Sequence, residues 1–148
     1  MRFLSKLIIG AIYISGVPLI CRSPAKFNLA AMSSSSSKNE PGTHSVAFVT
    51  TPNEALAKKL AHLLLNQKLA ACINIVPQIT SIYDWEGKIN EDSEVLMMIK
   101  TRTNRVDEIC KVIRDNHSYS VAEVISLPID NGNPPYMEWL SKSVPDKT

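Results

Sequence analysis

The sequence predicts an α+β domain of the split βαβ, ferredoxin-like arrangement, and three observations carry that expectation. Across residues 44–144, strand-like and helix-like segments run in the order β-α-β-β-α-β and are followed by a short helix. The two middle strand segments are joined by a turn and not by a helix, so they form an antiparallel hairpin. Each of the two long helical segments carries one apolar stripe, so both helices lie on one face of an antiparallel sheet.

In chain order, SVAFVTT at 45–51 is short and β-rich and reads as the first strand. Thr51-Pro52-Asn53-Glu54 has the form of a capping box, with Thr51 as N-cap, Pro52 at the first helical position and Glu54 at the third. The helix that follows keeps Leu56, Leu60, Leu63 and Leu64 on one stripe and leaves Lys58, Lys59, His62 and Asn66 for water. Residues 70–86, AACINIVPQITSIYDWE, form a long second strand in which Pro77 cannot donate to a ladder and implies an edge or a bulge. Glu86-Gly87-Lys88 supplies a turn, and the chain returns through VLMMIKT at 95–101 as the third strand. Thr103 or Asn104 caps a second helix whose apolar positions Val106, Ile109, Cys110 and Ile113 place Cys110 in the core. VAEVISL at 121–127 is the fourth strand, closed by Pro128. After the turn Asn131-Gly132-Asn133, Pro134-Pro135 opens a terminal helix with Tyr136, Met137, Trp139 and Leu140.

The hairpin strands are too long for the helices that cover them. About fifteen residues at roughly 3.3 Å each reach about 50 Å, far past a helix of equal length at roughly 1.5 Å per residue. The overhang carries Ile79, Ile82, Tyr83 and Trp85. Exposed strand edges of that kind are paired or covered in stable proteins, and self-association through the hairpin is the simplest cover.

Charge and composition divide the chain. Of its 16 Lys+Arg and 14 Asp+Glu, residues 1–40 hold five and one, leaving eleven and thirteen for the rest. The basic excess therefore belongs to the leader, and a nucleic-acid surface is not expected. Residues 1–31 read as a targeting leader: a basic start, then the apolar run LIIGAIYISGVPLI, in the charge order of a secretory signal peptide. A mitochondrial presequence and an uncleaved membrane anchor are the rivals. Residues 32–43 are a Ser-rich linker that cannot bury enough apolar surface to fold, and a start at Met32 would yield a leaderless cytosolic form. Residues 44–144 are the domain and 145–148 a tail. Of three cysteines, Cys21 lies in the leader, and Cys72 and Cys110 sit far apart in apolar patterns, which suits neither a zinc site nor a disulfide framework.

Catalytic templates are missing. The chain has no GxSxG, HExxH, P-loop or GxGxxG pattern, and TTPNE lacks the Gly and Arg of an acylphosphatase phosphate loop. Both domain cysteines lack a neighbouring cue for thiol activation. No catalytic residue is assigned, and the chain is not expected to be an enzyme.

Several motifs in order resemble the CutA family. KLAACINIVPQITSIYDWEGKINEDSEVLMMIKT at 68–101 is similar to the long hairpin of CutA proteins. So are FVTTPNE at 48–54, HSYSVAEVISLP at 117–128 and YMEWL at 136–140, and the likeness runs from about Ser45 to Val144. The resemblance implies a ferredoxin-like homotrimer in which long hairpins and chain ends join neighbouring subunits. It also implies tolerance of divalent metals, with copper as the metal bound by bacterial members. Animal members resemble this chain more closely, leader included, and are associated with acetylcholinesterase processing or anchoring.

For copper, the bacterial pattern combines a Cys near the end of the first strand with a His and a Glu spaced as HxYxxxE. His117, Tyr119 and Glu123 stand at that spacing and make His117 and Glu123 the implied metal ligands. The first strand ends in Val49-Thr50-Thr51 with no Cys, so the soft thiolate that favours Cu(I) is missing. His117 reads more readily as a helix C-terminal cation favoured by the macrodipole than as a ligand. Family members keep shared polar and aromatic residues in a cleft between subunits, where Lys100, Tyr83, Trp85, Tyr119 and Trp139 are the matching candidates here. Glu86, Glu91, Asp92 and Glu94 cluster at the hairpin and read as a solvated face. The expected function is a trimeric protein that binds a divalent metal or small ligand. The alternatives are an interaction partner of a secreted enzyme such as acetylcholinesterase, or an enzyme using the inter-subunit cleft.

Overall fold

The computed structural model describes residues 42–147. The leader, the Ser-rich segment and Met32 lie outside the described residues, as does Thr148. Eight elements follow in order: β1 (His44–Thr51), α1 (Glu54–Asn66), β2 (Cys72–Trp85), β3 (Lys88–Arg102), a 3-10 turn (Thr103–Arg105), α2 (Val106–Asn116), β4 (Ile125–Pro128) and α3 (Pro134–Ser143). They form one four-stranded antiparallel sheet in the order β2-β3-β1-β4, the split βαβ, ferredoxin-like topology expected.

Alternation along the strands assigns the two faces. Ala47, Val49 and Thr51 of β1 and Val95, Met97, Ile99 and Thr101 of β3 are buried under α1 and α2, together with Leu60, Leu64, Ile109 and Ile113. The neighbouring even-numbered residues point to the opposite face and are half-buried. There α3 covers one end. Met137, Leu140 and Val144 are buried, and Arg102 donates from Nε to the Val144 carbonyl at 2.6 Å and from Nη2 to the Ser141 carbonyl at 3.0 Å. His44 meets Ser141 Oγ at 2.9 Å beside them. So α1 and α2 share a face as expected, while the terminal helix takes the other.

Local details differ from the sequence reading at five places. Thr51 remains in β1, fully buried, and its hydroxyl donates to the Val95 and Asn53 carbonyls. The N-cap of α1 is Asn53, whose Oδ1 accepts from the Leu56 N–H at 2.9 Å. An extra ladder bond at Thr51 outweighs a cap there, and Asn is as good an N-cap as Thr. The buried stripe of α1 is Ala57, Leu60, Ala61 and Leu64, rotated toward the small residues that let the helix sit close to the sheet. No side chain caps α2, because the chain enters it through the 3-10 turn. Cys72 and Cys110 are half-buried instead of sealed in the core, and β4 is only four residues long.

Pro77 does what a strand proline is expected to do. β2 is an edge strand, and its pairing jumps from Val76↔Leu96 to Ile79↔Glu94, so two residues of β2 oppose one of β3. This bulge, with Gln78 at φ 60°, reverses the parity of β2. Upstream, the even residues Cys72, Asn74 and Val76 lie across from Lys100, Met98 and Leu96. Downstream, the odd residues Ser81, Tyr83 and Trp85 take the same face, across from Asp92, Asn90 and Lys88. Since β1 pairs only with Val95–Arg102, the seven residues 88–94 and their partners overhang the sheet by about 23 Å at roughly 3.3 Å per residue. A two-residue turn closes the hairpin, with Glu86 at φ 53° and Gly87 at φ 76°, the left-handed pair of a type I′ turn.

Candidate functional site

Where the overhang leaves the sheet, a cleft of about 690 Å³ opens between the hairpin and the 118–123 loop that follows α2. The bulge places Ser81, Tyr83 and Trp85 on its hairpin wall together with Asp92 and Glu94. Thr50, at the end of β1, contributes where the sheet ends, and Tyr119 and Glu123 line the loop wall.

The loop wall is fixed by His117. Its Nδ1 accepts the Tyr119 backbone N–H at 3.0 Å, so the ring proton lies on Nε2, which donates to the Thr50 carbonyl at 3.0 Å. The ring packs edge-on against Tyr119 with centroids 4.9 Å apart. A residue that follows α2 is thereby tied to the end of β1, and Tyr119 is turned toward the acidic hairpin wall.

That wall is a hydrogen-bonded series. Ser81 Oγ donates to Glu94 Oε2 at 2.6 Å, and Tyr83 donates its hydroxyl to Asp92 Oδ2 at 2.6 Å. Burial pushes the Tyr119 phenol up to about 12, helped by its hydrogen bond to Glu94 and by the negative field of Glu94 and Asp92. The hydrogen bond to Asp92 raises the Tyr83 phenol, with burial adding to it. Both phenols therefore stay protonated, and Tyr83 donates to the Asp92 carboxylate. Glu94 is only 6 % exposed, so it is a buried acid and not the solvated one its position near a turn suggests.

The residues singled out from the sequence separate into two groups. Tyr83, Trp85, Tyr119 and Glu123 line the cleft, and His117 stands behind its loop wall. Lys100 lies six residues from Glu94 along β3, roughly 20 Å away, and donates to Asn74 Oδ1 and the Met98 carbonyl. Trp139 is on α3, stacked at 5.3 Å on Tyr136, whose phenol is raised by burial and by its contact with Cys72. Within one subunit neither reaches the cleft. Sequence reasoning missed Asp92, Glu94 and Ser81 as cleft residues. The parity of Asp92 and Glu94 with Leu96 and Met98 on β3 was a readable signal for the first two. Ser81 was hidden by the parity reversal at the bulge.

For a metal, the donors present fit poorly. Both ring nitrogens of His117 are already engaged, and the end of β1 offers no thiol. Among the described residues, no three His, Cys, Asp or Glu side chains converge as a metal cage. No helix among them is long and apolar enough to cross a membrane.

Against known proteins, residues 45–143 match the family described as CutA1 divalent ion tolerance protein. The "Protein CutA homolog" of Xenopus laevis is 45% identical over 147 residues, 99% of this chain and 95% of the relative. The "Divalent-cation tolerance protein CutA" of Thermus thermophilus is 41% identical over 98 residues, 66% of this chain and 95% of the relative. Among solved structures, CutA1 from Oryza sativa is similar at a TM-score of 0.69 and 47% identity, covering 72% of this chain and 96% of that one.

Proposed function

Since the chain belongs to the CutA1 divalent ion tolerance family, we propose that it acts in metal-ion tolerance as a homotrimeric binding scaffold whose cleft holds a cation. The observation that carries this reading is Glu94, a buried carboxylate opening into a cleft whose lining contains Asp92 and Glu123 but no Lys, Arg or His. Burying a carboxylate is costly unless positive charge or hydrogen bonds compensate it; Ser81 supplies one neutral hydroxyl, and a bound cation would supply the charge that the lining lacks.

Self-association is supported by what the subunit leaves uncovered. On the sheet face between α3 and the cleft, Val76, Ile125 and Leu127 are 38%, 57% and 59% exposed. The overhang adds Ile82 and Ile89. A second copy covers such surface, and three copies follow the family resemblance. Copper is held weakly in this reading, because a copper ion must displace one of the His117 hydrogen bonds to gain an imidazole.

Native mass spectrometry of the full chain from its own cells tests the proposal. Three subunits with a retained cation are expected; a monomer, or a trimer that no cation loads, would overturn it. Copper titration of His117→Ala isolates the imidazole, and unchanged binding would remove it as a ligand. Residues 1–31 are proposed as a targeting leader, which terminal sequencing of the mature protein checks.

A further inference from the structure

We propose that Asn131 is a site of spontaneous main-chain rearrangement: its carboxamide closes onto the Gly132 nitrogen to give a succinimide, water reopens the ring to isoaspartate, and the lengthened chain loosens the docking of α3.

The reaction needs an asparagine followed by an unhindered backbone N–H, with both groups free to move. Asn131-Gly132 has this form, and glycine carries no Cβ to shield its nitrogen. The pair lies in an exposed loop without regular structure between β4 and α3, and no hydrogen bond among the described residues engages the Asn131 side chain or the Gly132 N–H. The other asparagines are held. Asn53, Asn74, Asn90, Asn104 and Asn116 each have the side chain in a hydrogen bond. Asn66 precedes Gln67, whose N–H is tied to the Leu63 carbonyl at 3.1 Å, and Asn133 precedes Pro134, which has no N–H. Asn116-His117 is the sharpest contrast. Asn116 Nδ2 donates to the Val112 carbonyl at 2.9 Å and the His117 N–H to the Ile113 carbonyl at 2.8 Å, so both reacting groups are occupied.

The atoms balance with water as the only co-reactant. The Gly132 nitrogen bonds to Cγ of Asn131, and the side-chain nitrogen leaves as ammonia with the Gly132 proton. Water then opens the ring. Attack at Cγ gives ordinary aspartate, and attack at the main-chain carbonyl carbon leaves the chain running through Cβ and Cγ as isoaspartate, one carbon longer.

The loop has little room for that carbon. At one end the Ile129 N–H is pinned to the His44 carbonyl at 2.9 Å, and at the other the Asn133 carbonyl accepts from the Tyr136 and Met137 N–H groups at 2.9 and 3.0 Å. Between the pins Gly132 lies against Met137, where an added Cβ would stand 2.5 Å from Sδ. About 1.5 Å of extra chain therefore displaces Gly132 or the first turn of α3. Met137 is 2% exposed and is one of the side chains on which α3 docks. A side chain at position 132 would crowd Met137, so the glycine that seats this helix is also the residue that leaves Asn131 open to attack. The loop leaves the sheet at the His44 end of β1 and the overhang leaves at the Thr51 end, so the reaction does not draw on the hairpin or the cleft.

Ageing the full chain in warm, mildly alkaline buffer, followed by peptide mapping with isoaspartyl methyltransferase labelling, tests the proposal. Isoaspartate is expected at residue 131 ahead of every other asparagine of residues 42–147, and it is lost in Asn131→Gln, whose longer side chain must close a larger ring. In a Trp85→Phe background, the denaturant midpoint at which Trp139 emission moves to the red should fall on ageing and hold in aged Asn131→Gln. Freshly purified Asn131→Asp, which has the new charge without the extra carbon, should keep the midpoint of the unaged chain. An intact Asn131 after ageing, or isoaspartate appearing first at Asn116, would overturn the proposal. So would conversion at residue 131 that leaves Trp139 unmoved, or an equal fall in fresh Asn131→Asp or aged Asn131→Gln.

Discussion

Arg102 holds the terminal helix to the sheet, and replacing it with alanine should release that helix before the sheet unfolds. Its guanidinium is only 15% exposed and makes two charge-assisted bonds, to the carbonyls of Val144 at 2.6 Å and Ser141 at 3.0 Å. A hydrogen bond to a charged group contributes about 1.5–3 kcal/mol. The helix end is near water, which can replace part of each bond, so about 2–4 kcal/mol is the expected loss for the pair. The 3.5 Å contact to Asp146 adds little, because that carboxylate is 70% exposed and screened. The docking that Arg102 reinforces rests on Met137, Leu140 and Val144, a patch separate from the core under α1 and α2. Loss of that size is comparable to burying one or two such side chains, enough to populate an undocked helix. Trp139 reports it directly: in a Trp85→Phe background its emission should shift to the red at denaturant concentrations where the far-ultraviolet signal of the sheet is unchanged. Arg102→Lys should recover less than half the loss, because an ammonium cannot serve both carbonyls in the planar fork. A single coincident transition for Trp139 and the sheet, at the midpoint of the unsubstituted protein, would refute the argument.

Four further outcomes follow from single residues. Asn53→Ala should cost about 1 kcal/mol in chemical denaturation, since the N-cap bond to Leu56 is lost. Glu86→Asn should stabilise the hairpin by roughly 0.5–1 kcal/mol, because Asn tolerates the left-handed φ of 53° far better than Glu and the turn keeps Gly87; an unchanged midpoint would count against the type I′ assignment. Spectrophotometric titration should find Tyr119 half-ionised only near pH 12, and the highest-pH step of the curve should vanish in Tyr119→Phe. His44, 3 % exposed, has its pKa lowered by burial and by the Arg102 charge. The unfolded chain then takes up the proton first, so stability is full above about pH 6.5 and falls as pH drops from there toward the lowered folded value. His44→Gln should flatten that part of the stability–pH profile.

Much of the fold was legible because its signals are local. The helical periodicity, the Gly87 turn and Pro134-Pro135 each constrain only a few consecutive residues, and the structure keeps the helices, the turn and the proline start, though the buried stripe of α1 is rotated. Boundaries were less legible where two local preferences competed. Thr51 can cap a helix or complete a ladder, and its partner in the ladder, Val95, lies 44 residues away. Cys110 fits the apolar stripe of α2, yet it ends half-buried because the sheet lies beneath Ile109 and Ile113.

The site shows the same division more sharply. Sequence alone determined the split βαβ order, a hairpin longer than its helices, a proline that must disturb an edge strand, and the family. It also supplied Tyr83, Trp85, Tyr119 and Glu123 as residues to watch. Only the tertiary structure decided which of them meet. The bulge after Val76 reverses the side-chain parity of β2, and that reversal joins Ser81, Tyr83 and Trp85 to Asp92 and Glu94 while Lys100 and Trp139 fall at the other end of the sheet. A period of two makes every residue beyond a bulge depend on a single insertion, and Pro77 announces a disturbance without stating its size. Glu94 was therefore readable as an acid near a turn, but its burial, and with it the uncompensated charge of the cleft, was set by a loop more than twenty residues further along the chain.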